Sequence, residues 1–218
     1  MKKLLLASAV LGAVTLTITA FRTVNESVAI NNEAKPAAEA AAPRFAKWNL
    51  DKGHSNVKFT VTHMVVSEVE GTFKIFDGSM EHTKPDYSDA KITFTVDVNS
   101  INTDNENRDR HLKGDDFFNA AQFPTMKFES TKFTPLGDNK YKLEGNLTIR
   151  DVTKPVTFDV TYGGTINTGR GSKAGFKATG KINRFDFGLK WDRATETGGL
   201  VVGKEVGITV NAQLNSAQ

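Results

Sequence analysis

Apolar and polar residues alternate along most of the chain from residue 45 onward, and a period of two is typical of β-strands with one buried face. The clearest run is Asn56–Met64, where Val57, Phe59, Val61 and His63 fall on one face. The alternation therefore predicts a domain built mainly of strands. Comparable runs lie at residues 91–98, 126–128, 143–149, 156–162, 176–182 and 206–210.

Turn-forming residues separate these runs, and most connections have the length of a hairpin, which predicts antiparallel neighbours. With the short region around Trp48 and the less regular stretch Thr72–Met80, we expect eight or nine strands. A sheet of this size must split into a sandwich or close into a barrel, because its edges and apolar face cannot stay exposed. Periodicity alone does not choose between the two.

One segment interrupts the alternation. The polar triplet Asn102-Thr103-Asp104 predicts the N-cap of a short helix that runs from Asn105 to Lys113 and ends at Gly114. The sequence therefore predicts one helical insertion between two strands.

The first part of the chain has the pattern of an export signal. Lys2 and Lys3 precede a mostly apolar stretch from Leu4 to Ile18, which is short for a membrane span. We expect a signal peptide over 1–20, a flexible linker over 21–43 and a folded domain over 44–218. The protein is then periplasmic or secreted, with no integral membrane span after cleavage; a retained membrane anchor is the alternative.

Charge and composition exclude some classes of function. The formal net charge is +3, and without Lys2 and Lys3 the 26 remaining basic residues face 25 acidic ones, interspersed along the chain. This balance argues against a nucleic-acid partner, which requires clustered cations. The chain has no Cys, so no disulfide, and 15 Phe against 3 Tyr and 2 Trp, which is much ring surface to bury. On pattern alone, these rings could simply fill a core.

Catalytic and metal-binding signals are weak. His54, His63, His82 and His111 are scattered without the spacing of a zinc site, and no nucleophile or phosphate-loop motif is present. We therefore expect no catalytic residue, no metal and no enzyme activity, with a hydrolase as the weaker alternative.

Two residues with ionisable side chains stand at positions where the alternation predicts an apolar side chain. His63 follows Val61, and Arg184 follows Ile182. An unpaired buried charge costs several kcal/mol. We therefore expect Arg184 either to reach solvent at a strand end, to pair with Asp186 or Asp109, or to bind a ligand.

Six short motifs follow one another along the domain. They are W-x-L-D-x-x-H-S-x-V-x-F-x-V-x-H-M (48–64), V-x-G-T-F (69–73), S-I-N-T-D-N-x-x-R-D-x-H-L (100–112), D-F-F-N-A-x-x-F-P (116–124), G-N-L-T-I-R-D-V-T-K-P-V (145–156) and I-N-R-F-D-F-G (182–188). With these six motifs in this order, the domain resembles the YceI-like, polyisoprenoid-binding family of bacterial exported proteins. Asp151 departs from the family, which commonly has Gly at this turn.

The resemblance implies a lipocalin-like, extended antiparallel β-barrel of eight strands with a helical insertion. It also implies that a long isoprenoid chain, carried by a quinone or a prenyl phosphate, occupies an apolar lumen. Members of the family often form homodimers. No cofactor is expected beyond the bound lipid. The residues expected to line the lumen are Val57, Phe59, Val61, Phe73, Ile75, Ile92, Phe94, Val96, Phe117, Phe118, Phe128, Leu147, Phe158, Phe176 and Ile182.

Four residues are expected to contact the lipid head group, namely His63, Arg108, His111 and Arg184. Guanidinium and imidazole groups suit phosphate or carbonyl oxygens. Arg108 has a structural alternative, in which it pairs with a carboxylate and fixes the helix. The competing hypothesis for the whole domain is an exported β-sandwich with a filled core, which would bind a protein or a polar small molecule.

Overall fold

A computed structural model describes residues 46–194 and 199–217. The predicted signal peptide, linker and first residues of the domain lie outside this range. The described chain contains one α-helix, α1 (Glu106–Lys113), and short 3₁₀ segments at Lys52–His54, Val98–Ser100 and Arg184–Phe187. The strands are β1 (Ala46–Leu50), β2 (Asn56–His63), β3 (Ser67–Phe73), β4 (Phe76–His82), β5 (Lys91–Asp97), β6 (Ile101–Asn102), β7 (Thr125–Gly137), β8 (Lys140–Ile149), β9 (Val152–Thr168), β10 (Gly171–Asn183) and β11 (Val202–Ser216).

The eleven segments form a closed antiparallel barrel of eight strands. Three pairs of segments, β1 with β2, β3 with β4 and β5 with β6, each act as one bent strand. Both β1 and β2 pair with β11 on one side. On the other side β1 pairs with β4 and β2 with β3, and β4 and β3 pair in turn with β5 and β6. Strands β7 to β10 complete the ring, which closes where β11 meets β1. The lipocalin-like barrel is therefore confirmed, and the β-sandwich alternative is wrong. Among the described residues no helix is long and apolar enough to cross a lipid bilayer.

Each bent strand has a short irregular break. The break between β1 and β2 is held by the Asp51 carboxylate, which accepts hydrogen bonds from the Gly53 N–H (3.2 Å), Gln213 Nε2 (2.9 Å) and Asn215 Nδ2 (3.3 Å). Lys173 Nζ lies 3.4 Å from the same carboxylate. Asp51 thus ties this break to β10 and β11.

The break between β3 and β4 corrects one expectation from the sequence. Phe73 and Phe76 both point into the barrel. Two residues, Lys74 and Ile75, separate them, whereas a regular strand has only one residue between successive inward side chains. The Ile75 carbonyl accepts a 2.9 Å hydrogen bond from Asp97 N–H, while its side chain is 61% exposed. The prediction that Ile75 lines the lumen is therefore wrong.

Helix α1 begins and ends almost as predicted, but its N-cap differs. The cap is Asn105, whose side chain accepts a 3.0 Å hydrogen bond from Arg108 N–H. The N–H and the hydroxyl of Thr103 instead donate to Asp109 Oδ1, at 2.9 and 2.6 Å. The polar triplet before the helix therefore helps to anchor α1 without capping it, and Gly114 is the C-cap as expected.

One end of the barrel is closed by aromatic rings. Trp48 Nε1 donates a 2.9 Å hydrogen bond to His82 Nε2, and His82 Nδ1 lies 2.9 Å from the Lys84 carbonyl. Because an indole N–H can only donate, His82 Nε2 accepts this bond, and Nδ1 faces the carbonyl oxygen. The Tyr87 ring packs against His82 (4.6 Å between centroids) and Tyr141 (6.4 Å), so this end is sealed.

Candidate functional site: an apolar cavity inside the barrel

The barrel encloses a cavity of about 230 Å³. Its lining comes from strands on every side of the barrel, from α1 and from the segments next to it. The walls are hydrocarbon apart from two cationic residues, Lys127 and Arg184. The lining residues are Val57, Phe59, Val61, Phe73, Ile92, Phe94, Val96, Leu112, Phe117, Phe118, Met126, Lys127, Phe128, Leu147, Ile149, Phe158, Phe176, Ala178, Ile182, Arg184, Leu189, Val202, Val206, Ile208, Val210 and Ala212.

The structure brings together every residue expected to line the lumen except Ile75. Several further wall residues were not among those expected. Val206, Ile208 and Val210 could have been included from the sequence, since alternation already places them on one apolar face. Leu189 and Val202 could not, because Leu189 lies in an irregular segment and Val202 begins a strand at a register shift.

Four phenyl rings lie over glycines of neighbouring strands, and this arrangement keeps the interior open. Phe59 is directly opposite Gly71, and Phe94 is directly opposite Gly78. A methyl group on any of the four glycines would come within 2.3 to 2.7 Å of its ring. Each ring therefore occupies the space that a side chain would take, and it packs along the wall. The pairs are Phe59–Gly71, Phe94–Gly78, Phe128–Gly145 and Phe158–Gly180.

Arg184 lies on the cavity wall and is only 3% exposed. Its guanidinium donates to four backbone carbonyls: Nε to Gly203 (2.9 Å), Nη1 to Leu189 (2.6 Å) and Trp191 (2.7 Å), and Nη2 to Val202 (2.9 Å). These bonds use four of its five N–H groups. Arg184 therefore joins the start of β11 to the segment that precedes it.

The charge of Arg184 is kept without a salt bridge to either of the carboxylates expected from the sequence. Asp109 accepts from Thr103, and Asp186 accepts a 3.2 Å bond from Asn183 Nδ2. Burial lowers the pKa of Arg184, while the negative charge of Asp192 acts in the opposite direction. Because an arginine pKa starts far above neutrality, the guanidinium stays protonated. The Phe185 ring lies 4.3 Å from the guanidinium carbon and adds a cation–π contact.

Arg150 supports the same end of the cavity, and the alternation pattern gave no signal for it. Its Nη1 lies 2.7 Å from the Phe117 carbonyl, 3.1 Å from that of Gly188 and 3.2 Å from that of Asp115. Arg150 therefore fixes the segment that presents Phe117 to the lumen. Arg150 and Asp151 form the β8–β9 turn with φ of 51° and 59°, a conformation that Asp adopts more readily than most residues other than Gly.

The other three expected head-group residues lie outside the cavity lining. Arg108 donates from Nε and Nη2 to the hydroxyl and carbonyl of Thr103, at 2.8 and 2.7 Å, and so ties α1 to the residues before it. Its acceptors are therefore not the carboxylate expected in its structural alternative. His111 is exposed, with Nε2 2.9 Å from Asp116 Oδ2. His63 is half-buried at the end of β2, paired with Ser67 and Val202. Of the four, only Arg184 contributes to the wall.

A family model for the YceI-like domain matches residues 48–214. This chain belongs to the YceI-like family. A UPF0312 protein of Staphylococcus aureus is 38% identical over 176 residues, which cover 80% of this chain and all of the relative. The crystal structure of a Campylobacter jejuni YceI protein is similar with a TM-score of 0.62 and 32% identity, over 78% of this chain and 97% of that one.

A solved structure of much lower sequence identity has the same fold. It is described as a polyisoprenoid-binding domain from Saccharophagus degradans and matches with a TM-score of 0.56 at 13% identity, over 78% of this chain and 98% of that chain. The barrel fold is thus shared by proteins with little sequence identity.

Proposed function

We propose that this protein binds a long-chain isoprenoid lipid, an isoprenoid quinone or a prenyl phosphate, with the chain inside the barrel. The observation that carries the proposal is the cavity inside the barrel, whose wall is hydrocarbon at every position but Lys127 and Arg184. Such a cavity suits a slender, flexible hydrocarbon. Family membership and the similarity to a polyisoprenoid-binding domain support the same ligand class.

The free energy of binding would come from burial of the chain. Each methylene transferred from water to an apolar site contributes roughly 0.8 kcal/mol. A chain of several isoprene units therefore provides a large gross gain, much of which is lost to the ordering of the chain. Binding of this kind requires a dry, preformed cavity and no reactive group.

The two cations of the lining are poorly suited to catalysis. Lys127 is exposed, with its ammonium 2.8 Å from Glu129 Oε1, and the guanidinium of Arg184 is held by four carbonyls. We therefore propose that the protein carries or stores its lipid outside the cytoplasm and does not transform it. Arg184 is the wall residue that we expect to lie near the polar head group.

Native mass spectrometry of the protein, followed by organic extraction, tests this proposal. We expect a species heavier than the polypeptide, with an isoprenoid lipid in the extract. Phe128→Lys places a charge in the cavity wall and should abolish this species, whereas Glu129→Lys, one residue along β7 and exposed, should retain it. A folded Phe128→Lys protein that carries the same lipid as the wild type would contradict the proposal.

A further inference from the structure

A second, smaller apolar cavity lies beyond the first, towards the closed end of the barrel. Its volume is about 70 Å³, against about 230 Å³ for the first cavity. Its wall includes Leu50, Met80, Phe133, Val160 and Leu214, none of which lines the first cavity. The interior of the barrel therefore consists of two chambers in series.

The two chambers share a thin layer of residues. Ile92, Phe94, Phe176 and Ala212 line both of them, so these side chains form the partition. Phe94 lies over Gly78 and stacks on Phe76 with ring centroids 6.0 Å apart, which places it against the wall. Ala212 is too small to block a passage, which leaves Phe176 as the largest side chain that can close it.

Phe176 is held in place by the rings that seal the barrel. Its centroid lies 5.1 Å from that of Tyr162 and 5.6 Å from that of Tyr87. The hydroxyl of Tyr162 donates a 2.6 Å hydrogen bond to Thr165 Oγ1, and the hydroxyl of Tyr87 lies 3.3 Å from the same atom. Because both neighbouring rings are anchored at their hydroxyl ends, Phe176 cannot rotate out of the partition without moving them.

We propose that Phe176 sets the longest isoprenoid chain that the protein accommodates fully. This inference rests on the function proposed above. The tail of a bound lipid would enter the first chamber and stop at the partition, since the polar head group must stay near water or near Arg184. Any unit added beyond that length would remain exposed to water and gain no burial. Affinity should therefore rise with chain length and then level off.

Removal of the Phe176 ring should join the chambers and move this limit to longer chains. The experiment uses the full chain, freed of lipid by extraction and refolding, and an equimolar mixture of isoprenoid alcohols of increasing length, with native mass spectrometry as the readout. We expect Phe176→Ala to raise the length at which occupancy levels off by at least one isoprene unit. Phe176→Leu, which keeps more of the packing, should shift it in the same direction.

Lys177→Ala is the control, because Lys177 follows Phe176 on β10, is exposed and lines neither chamber. It should leave the length limit unchanged. If the wild type binds these alcohols and both Phe176 variants show its length profile, the partition does not select chain length, while the proposed function still stands. If the folded wild type binds none of the alcohols, the proposed function fails, and the chain-length limit fails with it.

Discussion

At the scale of single residues, Arg184 shows how a charge can be accommodated beside a hydrocarbon cavity. Its guanidinium is neutralised by no carboxylate within salt-bridge distance among the described residues, and four carbonyl dipoles take that place. These carbonyls belong to residues 189, 191, 202 and 203, which lie in irregular chain or at the very start of β11. Because a buried carbonyl without a donor is costly, the arginine and this segment stabilise each other.

Substitution of Arg184 tests this mutual stabilisation. Arg184→Leu leaves four carbonyls without their donor and should lower the free energy of unfolding by about 3 kcal/mol or more, since each unsatisfied buried group costs about 1 to 3 kcal/mol. Urea denaturation measures this loss. Arg110→Leu, at an exposed position on α1, should change the value by less than about 0.5 kcal/mol. Equal stability of the two variants would refute a structural role for Arg184.

The glycines beneath the phenyl rings leave room for the rings to lie against the wall. Gly71→Ala places a methyl 2.3 Å from the Phe59 ring and 2.8 Å from the Thr103 methyl, so the Phe59 ring must move towards the lumen. The variant should keep its fold and lose at least half of its lipid occupancy in native mass spectrometry. Gly163→Ala, whose added methyl would make only ordinary contact at 3.5 Å, should keep wild-type occupancy. Full occupancy in a folded Gly71→Ala protein would show that the glycine is not needed for the open lumen.

At the scale of elements, the barrel depends on breaks that bend its long strands, and Asp51 secures the first of them. The hydrogen bond from His54, whose Nδ1 lies 3.0 Å away, is the largest influence that holds the pKa of Asp51 well below its usual value. Hydrogen bonds from Asn215 and Lys173 act in the same direction, while burial opposes them. The folded state therefore stabilises the ionised form of Asp51 more than the unfolded chain does.

This difference predicts how stability depends on pH. Because the folded pKa of Asp51 is depressed, its stabilisation is fully present above the unfolded value of about 3.9 and is lost as the pH falls towards the folded pKa. The urea midpoint of the wild type should therefore fall between about pH 5 and pH 2, and Asp51→Asn should flatten this decline. At pH 7 the same variant should be less stable by about 1 to 3 kcal/mol.

Asp138→Asn, in the β7–β8 turn, is the control for this measurement and should follow the wild-type curve. Should Asp51→Asn also follow it across the acid range, the Asp51 carboxylate does not stabilise the first strand break.

At the scale of the whole molecule, alternation and family motifs together predict most of the barrel, because the inward positions of a regular strand can be counted from the sequence. Counting fails at irregular places. Ile75 lies in a strand break that contains one extra residue, so the alternation of inward and outward side chains shifts by one position there. Leu189 and Arg150 belong to segments whose contacts are decided only by tertiary structure.

Composition could not distinguish a filled core from an open lumen. Fifteen Phe residues are compatible with both. The deciding feature is strand register, which sets Phe59 against Gly71 and Phe94 against Gly78. Each glycine is ordinary when viewed alone in the sequence. Only the pairing of the strands shows that the rings rest on the wall and that the centre of the barrel stays free.

A crystal structure of the protein with an isoprenoid lipid would show directly whether the chain lies inside the lumen. We expect continuous, tube-shaped electron density inside the barrel, from the region of Arg184 and Leu189 to the ring of Phe176. A lumen filled by its own phenyl rings, with the lipid absent or bound to the outer surface, would contradict it.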